Sequence, residues 1–133
     1  MTDGLRILLV EDEPLIVIDL QFAAEDRGCE LIACGTSKSA TDTIATLANA
    51  IDVAILDVSL AEGETCFAAA NALTELGIPY LLHSGELHRL EERLADLNAE
   101  FIAKPAAADT VIGAAISLVY RSRHEAADRD AAE

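Results

Sequence analysis

Apolar positions gather into five short, near-continuous runs: Leu5–Val10, Glu30–Cys34, Asp52–Asp57, Ile78–His83 and Glu100–Ala103. They are rich in Val, Ile and Leu and lack the polar alternation of a strand with one wet face, so they suit strands buried on both faces of a parallel sheet. Between them the period changes. Residues 14–27 begin with Pro14 at a helix-start position and repeat Ile16, Leu20 and Ala23 at helical spacing. Residues 37–49 follow a Gly35-Thr36-Ser37 turn and align Ala40, Ile44, Leu47 and Ala48. Residues 64–76 align Phe67, Ala70 and Leu73 and stop at Gly77, with Pro79 close behind. Residues 86–97 carry one narrow stripe, Leu87, Leu90, Leu94 and Leu97, on an otherwise polar helix. Residues 106–120 put Val111, Ala115 and Leu118 on one face and Ile112, Ile116 and Val119 on the next. Strand and helix alternate five times, which predicts an α/β fold: a parallel sheet covered on both faces by helices, with right-handed crossovers.

The 133 residues suit one domain. Residues 1–120 are expected to form it. Residues 121–133 alternate charges with Ala, carry no apolar stripe, and are expected to be a charged C-terminal extension, helical or frayed. Apolar residues at 52% and charged ones at 25% exclude disorder for most of the length. Nine Lys plus Arg against 24 Asp plus Glu give a net charge of −15. Such a surface lacks the cations that bind nucleic acid or anionic lipid. No apolar run approaches the roughly 18 residues of a membrane helix, and no basic-then-apolar signal opens the chain. The expected compartment is therefore the cytoplasm, with Cys29, Cys34 and Cys66 reduced and acting as small buried apolar residues. Their odd number, and the lack of any C-x-x-C or Cys/His pair at ligand spacing, exclude a disulfide scaffold and a zinc site.

In an open parallel sheet, ligands collect at the carboxyl ends of the strands. There the chain places Glu11-Asp12-Glu13 after the first strand, Asp57 at the end of the third, Ser84-Gly85 after the fourth and Lys104-Pro105 after the fifth. Two carboxylates about 4 Å apart repel by about 4 kcal/mol at an effective dielectric near 20, so Glu11, Asp12 and Asp57 together call for a cation or a proton. Oxygen ligands completed by water describe a hard-cation site, and Mg²⁺ is the natural occupant. Lys104 adds a positive charge and Ser84 a hydroxyl, which suits an incoming dianion beside Asp57, and a carboxylate is an able nucleophile towards phosphorus. No G-x-x-x-x-G-K or G-x-G-x-x-G loop occurs, so nucleotide binding by those routes is excluded.

With Leu9-Val10-Glu11-Asp12-Glu13, Ile55-Leu56-Asp57, Ser84 and Lys104-Pro105 in order at the strand ends, the chain resembles the receiver domain of two-component response regulators from about Leu5 to Tyr120. The resemblance implies a flavodoxin-like (βα)5 fold with strand order 2-1-3-4-5. It implies Mg²⁺ held by Asp12, Asp57 and the backbone carbonyl of Ser59, with Glu11 acting mainly through water. Asp57 would take a phosphoryl group from a phosphohistidine on a histidine kinase or histidine phosphotransfer protein. Ser84 and Lys104 would engage it, Phe101 would be the switch aromatic, and Ser59 and Glu86 would tune hydrolysis. The chain departs from the family at Ala61 and Thr65, where Pro and Gly are common and Gly63 is displaced, and Phe101 lacks the hydroxyl that many relatives carry.

The expected function is a stand-alone phosphorylation switch, not an enzyme acting on external substrates, which signals through a protein partner or a phosphorelay. Two other classes are a degenerate receiver that binds partners without phosphorylation and a carboxylate-nucleophile phosphatase. The latter usually wants a second Asp where Ser59 stands, and a cap domain. Leu15, Val17, Ile18 and Phe22 on the first helix, and Ile112, Ile116 and Val119 on the last, exceed one packing stripe. They are either extra core or partner surface, the first helix for the phosphodonor and the last for output or a homodimer.

Overall fold

The computed structural model describes residues 4–58, 60, 63–85 and 99–132, with side chains of the last helix described to Asp128. The expected helix over 86–97, with Glu86, and the ligand carbonyl of Ser59 lie outside the described residues.

The five apolar runs form β1 (Arg6–Val10), β2 (Glu30–Cys34), β3 (Val53–Leu56), β4 (Tyr80–Ser84) and β5 (Glu100–Ala103). They make one all-parallel sheet in the order β2-β1-β3-β4-β5, the flavodoxin-like arrangement of receiver domains. Helices α1 (Pro14–Asp26), α2 (Ser37–Leu47) and α3 (Phe67–Glu75) follow the first three strands, and a C-terminal helix spans Ala108–Ala132. Because side chains alternate across a strand, the sheet splits the core in two. Ile7, Leu9, Val53, Ile55 and Leu81 face α1 and the C-terminal helix. Leu8, Val10, Ala54, Leu56 and Leu82 face α2 and α3. All four residues of β3 are buried, as a central strand in a doubly covered sheet requires.

Local chemistry sets the helix ends. Thr36 caps α2: its hydroxyl accepts from the Ser39 amide at 3.0 Å, while Ser39 Oγ accepts from the Thr36 amide at 3.2 Å. Replacing Thr36 by Ala is expected to cost about 1 kcal/mol in urea denaturation, the usual worth of such a cap. Helix α3 starts later than the expected residue 64, because a closed turn uses the residues before it. The Leu60 amide donates to the Glu64 carbonyl at 2.8 Å and the Cys66 amide to the Val58 carbonyl at 3.1 Å.

The C-terminal helix runs well beyond residue 120 without a break. Arg121 meets Glu100 at 3.2 Å, and Arg123 meets Asp52 at 2.7 Å. The same Asp52 carboxylate accepts from the Arg6 amide, so the extension is tied to the sheet's lower edge. Ile112, Ile116 and Val119 are buried in the core, which settles the second stripe of this helix as packing rather than surface. The corresponding residues of α1 divide: Val17 is half-buried against the core, whereas Leu15 and Phe22 are 72% and 64% exposed and Ile18 is exposed as well. The three cysteines are buried and unbridged. Among the described residues, no helix is long and apolar enough to cross a membrane.

Candidate functional site

The sheet ladder itself assembles the site. Val10 lies opposite Leu56, so the residues that follow, Glu11 and Asp57, emerge side by side. One more rung fixes them: the Glu11 amide donates to the Cys34 carbonyl at 3.0 Å and the Asp57 amide to the Val10 carbonyl at 2.8 Å. Across the sheet, Ser84 pairs with Ala103, and the Lys104 amide donates to the Ser84 carbonyl at 3.2 Å. Four chain segments thereby deliver Glu11, Asp12, Asp57, Ser84 and Lys104 to one edge, and the Lys104–Pro105 peptide bond is cis.

Glu11 and Asp57 are only 2% and 5% exposed, whereas Asp12 is exposed at the rim. One oxygen from each of the three lies within 4.8 Å of the others, close enough to share a metal ion. Lys104 Nζ donates to Asp57 Oδ2 at 3.2 Å and sits 2.9 Å from Glu11 Oε1. The Glu11 contact is an ion pair rather than an aligned hydrogen bond, because among the described residues that oxygen has no partner in hydrogen-bond geometry. Glu11 Oε2 accepts from the Glu13 amide at 3.2 Å, which holds the carboxylate against the start of α1.

One ammonium does not neutralise the cluster. Burial pushes the Asp57 carboxyl up, the neighbouring Glu11 charge pushes it further, and Lys104 opposes them, leaving the pKa at about 7. Burial works against the Lys104 ammonium, but its contacts with Glu11 and Asp57 outweigh that and hold its pKa above the ordinary lysine value. The site therefore has a charge deficit that a divalent cation bound through oxygen would fill. Glu11, Asp12 and Asp57 are the donor set such a cation takes.

Of the other residues singled out in the sequence, Ser84 is buried beside this edge. Phe101 is half-buried, opposite Leu82, and packs on the face of the sheet shared with α2 and α3. His83 has no partner at ligand spacing in the sequence. It proves to be buried on the opposite face from Ser84, beneath a cavity beside Lys104. Its place immediately before the strand-end Ser84 was the signal available.

No protein-family model matches the chain. A two-component response regulator from Oryza sativa subsp. japonica is 25% identical over 104 residues, covering 77% of this chain; the chain spans only 18% of that relative's length. Among solved structures, the signal receiver domain of a modulated diguanylate cyclase from Desulfovibrio desulfuricans superimposes with a TM-score of 0.80 at 22% identity, covering 92% of this chain and 99% of that one. A response regulator receiver protein from Sinorhizobium medicae gives 0.79 at 20% identity, covering 90% and 98%. The non-phosphorylated HemR receiver domain of Leptospira biflexa gives 0.74 at 25% identity, covering 87% and 94%. The fold is that of response-regulator receiver domains.

Proposed function

We propose that this chain, a receiver domain by fold, accepts a phosphoryl group on Asp57 from a phosphohistidine donor in a Mg²⁺-dependent reaction and changes its partner-binding surface in response. The observation that carries this reading is the buried Asp57 carboxylate, sharing Lys104 with Glu11 and lying within 4.8 Å of the Glu11 and Asp12 oxygens. Glu11, Asp12 and Asp57 would hold the cation, joined in the receiver pattern by the carbonyl of Ser59. When bound, it favours the ionised form of Asp57 and offsets charge on the incoming phosphoryl oxygens.

The chemistry asked of the chain's own residues is small. An oxygen of ionised Asp57 attacks phosphorus, the phosphorus–nitrogen bond of the donor breaks with its electron pair on the imidazole, and the imidazole takes up a proton. Lys104, already directed at Asp57, follows the charge onto the acyl phosphate, and Ser84 supplies a hydroxyl to one of its oxygens. Phe101 sits two register positions below Ser84, on the same face of the sheet, so movement there repacks the surface on the α2 and α3 side of β5. Turnover is confined to self-catalysed phosphorylation and dephosphorylation, and the setting is cytoplasmic.

The exposed apolar row Leu15, Ile18 and Phe22 on α1 lies on the helix that leaves the acidic cluster, which suits docking of a histidine kinase or histidine phosphotransfer protein. Incubation with Mg²⁺ and acetyl phosphate, followed by intact-mass measurement, is expected to add one phosphoryl group to the protein. Asp57→Ala should abolish the addition. Unlabelled wild-type protein, or equal labelling of the variant, overturns the reading and favours a receiver that binds its partners without phosphorylation.

A further inference from the structure

Between α1 and the segment that follows β5 lies a cavity of about 450 Å³, with His83 in its lining. His83 is 4% exposed, and among the described residues neither ring nitrogen has a hydrogen-bond partner. A buried imidazole carries one donor and one acceptor when neutral, and leaving both unmatched is unusual enough to need a reason. Burial, reinforced by the nearby Lys104 charge and opposed by Glu11, lowers the ring's pKa, so the acceptor nitrogen is present at neutral pH.

The remaining lining selects the occupant. Ile16 and Leu20 of α1 and Pro105 opposite them give apolar walls. Glu13 and Asp19 bring two exposed carboxylates to the same cavity, and among the described residues neither has an ion-pair partner. Among the described residues of the lining the only cation, Lys104, is engaged by Glu11 and Asp57. An anion would meet two unpaired carboxylates. A wholly apolar molecule would leave His83 unmatched.

We propose that this cavity is a binding site for an alkylguanidinium or alkylammonium cation, the chemistry of an arginine or lysine side chain or of a free amine of that shape. The alkyl stem lies along Ile16, Leu20 and Pro105, and the charged head lies between Glu13 and Asp19. One donor of the head reaches His83, whose ring turns about its Cβ–Cγ bond, a broad torsion, to bring a nitrogen to the cavity surface. The site needs no phosphoryl group, so the inference goes beyond the phosphoacceptor reading and stands or falls separately from it.

The test is an NMR titration of the full chain with n-butylguanidinium and n-butylammonium, read at the His83 ring Cε1–H and the Ile16 methyls, with pentanoate and 1-butanol as controls. Saturable shifts are expected with the cations and not with the controls. Glu13→Gln and Asp19→Asn, both at exposed positions, should each weaken binding by about two- to fivefold, the worth of one exposed ion pair. His83→Leu should also weaken it. A capped Ala-Arg-Ala peptide that binds more tightly than n-butylguanidinium assigns the cation to a protein partner; weaker binding assigns it to a free amine. Shifts that stay linear, pentanoate binding as well as the cations, or unchanged affinity in the Glu13 and Asp19 variants overturns the proposal.

Discussion

Replacing Asp57 by Asn is expected to stabilise the metal-free protein by about 3 kcal/mol at pH 8, and by well under about 1 kcal/mol at pH 4. The carboxyl is pushed up to about 7 in the folded chain from an ordinary aspartate value of 3.8. Each unit of that difference is worth about 1.4 kcal/mol, which makes about 4 kcal/mol the ceiling. The expected value is lower because the amide gives Lys104 a weaker partner than the carboxylate at 3.2 Å. The sign follows from proton counting. Between pH 4 and pH 7 the folded chain keeps a proton on Asp57 that the unfolded chain has lost, so this group's contribution makes folding less favourable as pH rises through that window. Above the folded pKa the loss is complete. Urea denaturation of both proteins in a chelating buffer, at several pH values, reads the difference directly. Saturating Mg²⁺ should narrow it, since an ion held by Asp57 stabilises the wild type preferentially. An Asn variant that is no more stable at pH 8, or whose advantage does not shrink on acidification, would show that burial and Glu11 do not strain Asp57 as described.

Much of this arrangement was legible in the sequence, and the parts that were not share one cause. The strands were legible because a parallel sheet buries both faces, so β3 reads as Val53-Ala54-Ile55-Leu56 with no polar interruption. The candidate site was legible because every strand end in such a sheet points the same way, which places Glu11, Asp57, Ser84 and Lys104 together without any knowledge of distance. Pairings between side chains were not legible. Lys104 was expected to serve an incoming anion, yet it already bridges Glu11 and Asp57. That contact depends on the register of strands distant in sequence. The second stripes of α1 and the C-terminal helix looked alike as patterns but have opposite fates. Ile112, Ile116 and Val119 are covered by the sheet and α1, whereas Leu15, Ile18 and Phe22 stay exposed. Helical periodicity reports which residues share a face and says nothing of how many neighbours surround the helix. The state of His83 was hidden for a related reason: among the described residues its ring nitrogens lack hydrogen-bond partners, which only packing reveals.

Lys104→Met is expected to have the opposite sign, a loss of about 3 kcal/mol at pH 8 without divalent ions, because it strands two buried carboxylates. Met retains an unbranched apolar stem of similar length, so the loss reports the ammonium rather than a cavity. In the wild type that ammonium stands 2.9 Å from Glu11 and 3.2 Å from Asp57, whose side chains are almost fully buried. Removing it should raise the Asp57 pKa beyond about 7, since Lys104 is the group holding it down. The stability deficit should therefore grow with pH, as more of the carboxyl is forced to ionise in the folded chain. Mg²⁺ should restore part of the loss, because a divalent cation supplies the missing charge. Adding Asp57→Asn to Lys104→Met should recover stability by more than the separate effects predict, with a coupling of about 1–3 kcal/mol in a double-mutant cycle. Additive effects would mean that Lys104 and Asp57 do not share the electrostatic burden of the site, and would remove the basis for assigning Lys104 to the phosphoryl group.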